Sequence, residues 1–152
     1  MAPADNPVRL AFPSHFDMLD FVQVVGDRVG QMAGFDEDSI HWIDVAVRES
    51  VINAIKHGNQ ENLDKLVTVE FAFVPPSQPT KLVVRVTDQG AGFEVEEIAD
   101  PLAPENMLKS TGRGIFFMRN FMDELVLERV PGGGMKVRMV KKLPSASAPD
   151  PG

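Results

Sequence analysis

Pairs of strand-like segments joined by short connections constrain this chain more than any other feature. Residues 67–74 alternate apolar and polar positions and end at Pro75-Pro76; residues 81–87 follow, rich in β-branched side chains. Residues 124–130 and 135–141 repeat the arrangement across a tight turn at 131–134, and residues 8–12 read as a further short strand. Two stretches have helical spacing instead. Residues 16–32 carry Leu19, Val22, Val25 and Val29 on one side, with Gly34 as the stop. A second helix is expected to start at Asp36 or Asp38 as cap and to run to His57, with Gly58 as its C-terminal stop. A third helix is expected over residues 112–122. The order β, α, α, β, β, loop, α, β, β predicts an α+β fold, a two-layer sandwich of mostly antiparallel sheet with helices on one face.

A chain of 152 residues fits one domain and buries enough surface to need no cross-link. With no Cys there is neither a disulfide nor a thiolate metal site, and three scattered His do not suggest zinc. The formal charge of −7 argues against generic nucleic-acid binding, which depends on Lys and Arg releasing counterions. A polyanionic ligand would have to be held locally, by backbone amides, a few cations or Mg2+. No stretch approaches the roughly 18 apolar residues of a membrane span, and residues 1–9 lack the apolar core of a signal peptide. A cytoplasmic protein is the expectation. Residues 1–7 read as a flexible N-terminus, 8–142 as the domain, and 143–152, rich in Pro and small polar residues, as a disordered tail. Residues 93–111 lack periodicity, and a loop that long suggests a functional lid.

Within the second helix Asp44 and Arg48 share a face and are placed to pair. Glu49, Asn53 and His57 occupy a separate polar arc, which an amphipathic surface helix does not require. A carboxylate and an amide oxygen four residues apart can hold Mg2+ or position a hydroxyl. His57 suits an interaction with the last carbonyls of its helix. Asp88 ends a strand and is followed by Gly90 and Gly92, which permit close backbone approach to a ligand. Gly112-Arg113-Gly114, with Ser110 or Thr111 as cap, opens a helix whose free amides suit phosphate. Each signal is weak alone: the third glycine of a dinucleotide fingerprint and the phosphate-loop lysine pattern are both missing.

Their order is more specific. Glu49-Ser-Val-Ile-Asn53-Ala-Ile-Lys-His57-Gly58, then Val86-Thr-Asp88-Gln-Gly90-Ala-Gly92-Phe93, then Gly112-Arg-Gly114-Ile-Phe-Phe-Met-Arg-Asn-Phe-Met-Asp123-Glu124 together resemble the GHKL superfamily of histidine-kinase-like ATPase domains. The similarity is greatest to the bacterial anti-sigma-factor serine kinases and covers residues 8–142. It implies the Bergerat α/β sandwich and binding of ATP with Mg2+. It further implies that Glu49 is the general base, that Asn53 is the Mg2+ ligand, and that Asp88 accepts from the adenine amine. Gly90, Gly92, Thr111, Gly112 and Gly114 would line the nucleotide, with Lys109 and Arg113 both candidates for the γ-phosphate. The implied partners are a sigma factor, held inactive, and an antagonist of STAS-type fold, phosphorylated on serine by a homodimer. The chain departs from the family pattern where the last hairpin usually has Gly-Thr and here has Gly134-Met135, which removes a hydroxyl near the nucleotide. Two other readings stand beside the kinase: a non-catalytic ATP-binding switch module, and the catalytic fragment of a histidine kinase.

Overall fold

Alternation in the strands is the origin of the architecture. In β2 (Leu66–Val74) and β3 (Lys81–Thr87), residues Val67, Val69 and Phe71, with Leu82, Val84 and Val86, all point to one face and join the main core. The computed structural model describes residues 6–90 and 121–144. Within them a five-stranded antiparallel sheet has the order β1-β2-β3-β5-β4, where β1 is Val8–Pro13, β4 Glu124–Arg129 and β5 Met135–Lys142. The register pairs Phe12 with Val67, Val69 with Val86, and Val84 with Met139, so apolar residues form rows across the sheet. Helices α1 (Met18–Ala33) and α2 (Glu37–Asn53) pack on that face. Each fully buried aliphatic side chain there contributes roughly 1.5–3 kcal/mol relative to exposure. The opposite face carries a polar row, in which Glu70 receives Arg9 at 3.6 Å and Arg85 at 3.3 Å, and a small apolar cluster of Ala72, Val83 and Val140.

The expected end of the first helix and start of the second are found, each with an identifiable cause. Gly34 is left-handed (φ 95°) after α1; its N–H donates to Gln31 O, and Phe35 N–H donates to Gly30 O. That pair of bonds satisfies carbonyls the helix would otherwise leave open. Asp36 is extended and its Oδ1 accepts from Ser39 N at 2.7 Å, which caps α2. The helices lie close because α1 turns glycines toward α2. A Cβ on Gly30 would come within 2.8 Å of Ile40 Cγ1, and one on Gly26 within 2.9 Å of Asp44 Oδ1. The expected pairing of Asp44 with Arg48 does not form. Arg48 instead reaches Asp20 on α1 at 4.0 Å, and Asp44 turns to Asp27. The helix expected over 112–122 and the lid over 93–111 lie almost wholly outside the described residues. None of the described helices is long and apolar enough to cross a membrane.

Candidate functional site

The second helix does not run regularly to His57. Its α-helical part ends at Asn53, and Ala54–Gly58 form a single π-helical turn. The turn is closed by Asn59 N–H, which donates to Ala54 O five residues back at 2.8 Å. Such wide turns are rare and occur often at functional sites. Gly58 lies inside the turn and is not in the left-handed region, so it is not the conformational stop the sequence suggests. Its role is steric: a Cβ on Gly58 would overlap the carboxyl of Asp88.

Asp88 is the centre of a glycine-lined corner. It leaves the end of β3 and is buried, 3% exposed. Its backbone N–H donates to Met135 O at 2.9 Å. Its Oδ1 accepts from Gly90 N at 2.9 Å and from Met135 N at 3.1 Å. Among the described residues no donor reaches Oδ2, which lies over Gly58. A Cβ on Gly90 would overlap Gly58 O, and one on Gly134 (φ 103°) would overlap Asp88 O. Three glycines from three segments therefore let the backbone around Asp88 pack too closely to admit a Cβ at any of them. Burial pushes the Asp88 carboxyl above its ordinary range; the amides of Gly90 and Met135, then the nearby Lys65 charge, draw it back. Met135 is itself buried, and its backbone rather than a hydroxyl is what holds Asp88.

Asn53 sits at the end of α2, just before the π turn, with 8% exposure. Its side chain makes no hydrogen bond among the described residues, although it does not lie fully out of reach of solvent. Glu49 is half-buried one helical turn upstream, about 6 Å back along the axis. His57 lies in the π turn. Burial, then the Lys56 charge, holds its imidazole below the usual range, which works against the charged interaction with the helix end that the sequence suggests. The contact of Gly58 with Asp88 and Gly90 thus brings the end of β3 against the π turn that follows Asn53, with Glu49 one helical turn further back in α2. Gly92, Lys109, Thr111, Gly112, Arg113 and Gly114 lie outside the described residues.

Sequence reading missed Asn59. It is 1% exposed, and its side chain joins the Asp88 turn to two other segments. An Asn after a Gly looks like an ordinary loop residue, and nothing local marks it as buried.

Comparison with known proteins decides the family. Residues 13–141 match the histidine kinase-like ATPase domain. The chain belongs to that family. An anti-sigma F factor from a Thermoanaerobacter species is 38% identical over 110 residues, 71% of this chain and 73% of its own length. Another from Bacillus velezensis is 32% identical over 115 residues, covering 73% and 75%. The serine-protein kinase RsbW of Listeria monocytogenes is 26% identical over 133 residues, covering 84% and 82%. Among solved structures, the histidine kinase domain of an Erythrobacter litoralis blue-light-activated kinase aligns with a TM-score of 0.56. It is 19% identical; the alignment covers 94% of this chain and 65% of that one, and shows the shared fold. The two-layer α+β architecture read from the sequence is thereby the architecture of the family, and an ATPase domain of this kind implies use of ATP.

Proposed function

We propose that this protein is an ATP-dependent serine kinase and anti-sigma factor, which holds a sigma factor inactive and phosphorylates a serine on a STAS-type antagonist. The observation that carries the reading is the corner at Asp88: a buried carboxylate with one oxygen committed to two backbone amides and the other without a donor among the described residues, packed on the π turn that follows Asn53. The names of the relatives, serine-protein kinase and anti-sigma F factor, support the activity and the first partner.

In this reading Asp88 Oδ2 accepts from the exocyclic amine of adenine. Guanine presents a carbonyl oxygen there, and two acceptors facing each other in a buried site are unfavourable. The Asn53 amide oxygen fits Mg2+, a hard ion that keeps several waters and needs few protein ligands. When bound, Mg2+ neutralises phosphate charge in a protein of net charge −7. Glu49 takes the proton of the attacking serine hydroxyl; an ordinary Glu is ionised at pH 7 and can accept it. Phosphoryl transfer depends mainly on positioning and charge stabilisation, so Glu49 holds and orients the hydroxyl as well. Gly92, Thr111, Gly112 and Gly114 would contact the phosphates through their backbone, with Lys109 or Arg113 supplying a cation. The acting species would be a homodimer.

Calorimetric titration with ATP, in Mg2+ and then in EDTA, tests the site. Mg2+-dependent binding is expected, and no binding in either buffer would overturn the reading. Incubation with a STAS-type protein and labelled ATP tests the kinase. Glu49→Ala should abolish transfer with ATP affinity kept within about threefold. ATP binding without transfer by the unsubstituted protein would instead establish a non-catalytic switch module.

A further inference from the structure

The Asp88 turn does not hold its position by itself. Asn59 Oδ1 accepts from Gln89 N at 2.8 Å, and its Nδ2 donates to Leu66 O at 3.0 Å. Leu66 N in turn donates to Gln89 Oε1 at 2.7 Å. These three bonds close a ring through Asn59, Gln89 and Leu66, so the turn and the start of β2 are fixed to one side chain. The second hydrogen on Nδ2 goes to Ser14 Oγ at 2.8 Å, and Ser14 Oγ donates to Lys65 O at 2.7 Å. The amide of Asn59 thus uses both donors and its acceptor, while Asn59 N–H closes the π turn that follows Asn53. Directly after it Gln60 (φ 52°) and Glu61 (φ 58°) are both left-handed, a conformation non-glycine residues rarely adopt twice in succession. A loop in such a conformation persists only where its surroundings over-determine it. Glu61 N–H donates to Ile55 O at 2.7 Å and Asn62 N–H to Asn59 O at 3.0 Å, and together with the polar ring around Asn59 these bonds are that constraint.

We propose that Asn59 is a positioning residue for base selection: by holding Gln89 N–H it sets the Asp88–Gly90 turn against the end of the Asn53 helix, and so fixes the preference for adenine over guanine. The proposal rests on the nucleotide reading above. No side-chain atom of Asn59 need touch the base. Removing it takes from Gln89 N–H the half-buried acceptor that ties the turn to Asn59 and lets the turn shift, which misplaces Asp88 Oδ2 relative to Asn53. A shift of this kind penalises ATP, which needs the carboxylate, more than GTP, which does not use it.

The test is calorimetric Kd for MgATP and MgGTP with the full chain, beside thermal melting. Asn59→Ala should weaken ATP roughly tenfold and bring the GTP:ATP ratio of Kd values down by a similar factor. Ser14→Ala breaks only the side of the network away from Asp88. It should lower the melting temperature by about 3 °C and leave the ratio unchanged. If Asn59→Ala does not fold, Gln89→Ala, which opens the ring at Leu66, should still lower the ratio two- to threefold. A ratio unchanged in Asn59→Ala, or in Gln89→Ala if the former is unfolded, overturns the proposal and leaves the nucleotide site intact. An equal fall in the ratio with Ser14→Ala overturns it too, since general loosening would then explain the effect. Failure of the unsubstituted protein to bind ATP overturns the site and the proposal together, and is recognised before any variant is made.

Discussion

Asp88 and Asp44 both titrate above the ordinary aspartate range, and they differ in what surrounds them. Burial raises Asp88, but two backbone amides and the Lys65 charge oppose it, so the site is furnished to keep a carboxylate. Burial also raises Asp44, between the helices, but there the next influence is the Asp27 carboxyl, first through a hydrogen bond and then through its charge, and the group is pushed up to about 8. Among the described residues no amide donates to it, and Arg48 is directed to Asp20 instead. One carboxyl is provided with two amide donors on Oδ1 and, among the described residues, has no donor on Oδ2. The other shares a proton with its neighbour and is a feature of helix packing. Burial raises both carboxyls, and the groups placed around each one set how that burial is opposed or reinforced.

The largest way to break this contrast is at the corner's steric frame. Gly58→Val places a branched side chain on the Asp88 carboxyl, and we expect a loss of roughly 2–4 kcal/mol of stability. Urea unfolding followed by the fluorescence of Trp42, the one Trp of the chain, measures it. A loss below about 0.5 kcal/mol would show that the corner can open without cost.

Next in size, Asp88→Asn keeps an oxygen for the Gly90 and Met135 amides but replaces the free acceptor with a donor. ATP affinity should fall about 30-fold, with GTP affected much less. The same contrast has a pH form. A protonated Asp88 donates where the carboxylate accepts, so the preference for ATP should narrow as pH falls through its raised range. Constant selectivity down to pH 4, in calorimetric competition, would remove Asp88 from base recognition.

At the helix pair the sign is reversed. The Asp44 pKa is higher folded, about 8, than its ordinary value of 3.8, so folding favours its protonated form. Stability from this group is complete below about pH 4 and is lost progressively as pH rises toward 8. Asp44→Asn should therefore stabilise the protein at pH 8 by on the order of 1 kcal/mol, a figure discounted because the group is only half-buried. It should also flatten the dependence of melting temperature on pH between 5 and 8. An unchanged pH profile would show that the pair does not share a proton.

The smallest effect is expected at Arg48→Ala. The pair with Asp20 is 4.0 Å long and solvent-exposed on both sides, and its loss should alter stability by less than about 0.5 kcal/mol.

Much of this was legible in the sequence. Period-two alternation in residues 67–74 and 81–87 sets the core face of the sheet, because successive strand side chains point to opposite sides. Gly34 and Asp36 mark helix ends through local conformation and a side-chain oxygen, both properties of single residues. The motifs around Asn53 and Asp88 named the family. Other features required the folded chain. The helix changes to a π turn at Ala54 only because Asn59 closes it, and Gly58 is Gly only because Asp88, thirty residues later, lies against it. Asp44 abandons Arg48 for Asp27 because the glycines of α1 bring α2 close. Local spacing and turn chemistry can be read from neighbours in sequence. The neighbours that tune a carboxylate or occupy a buried amide are contributed by other segments, and only tertiary packing brings them into contact.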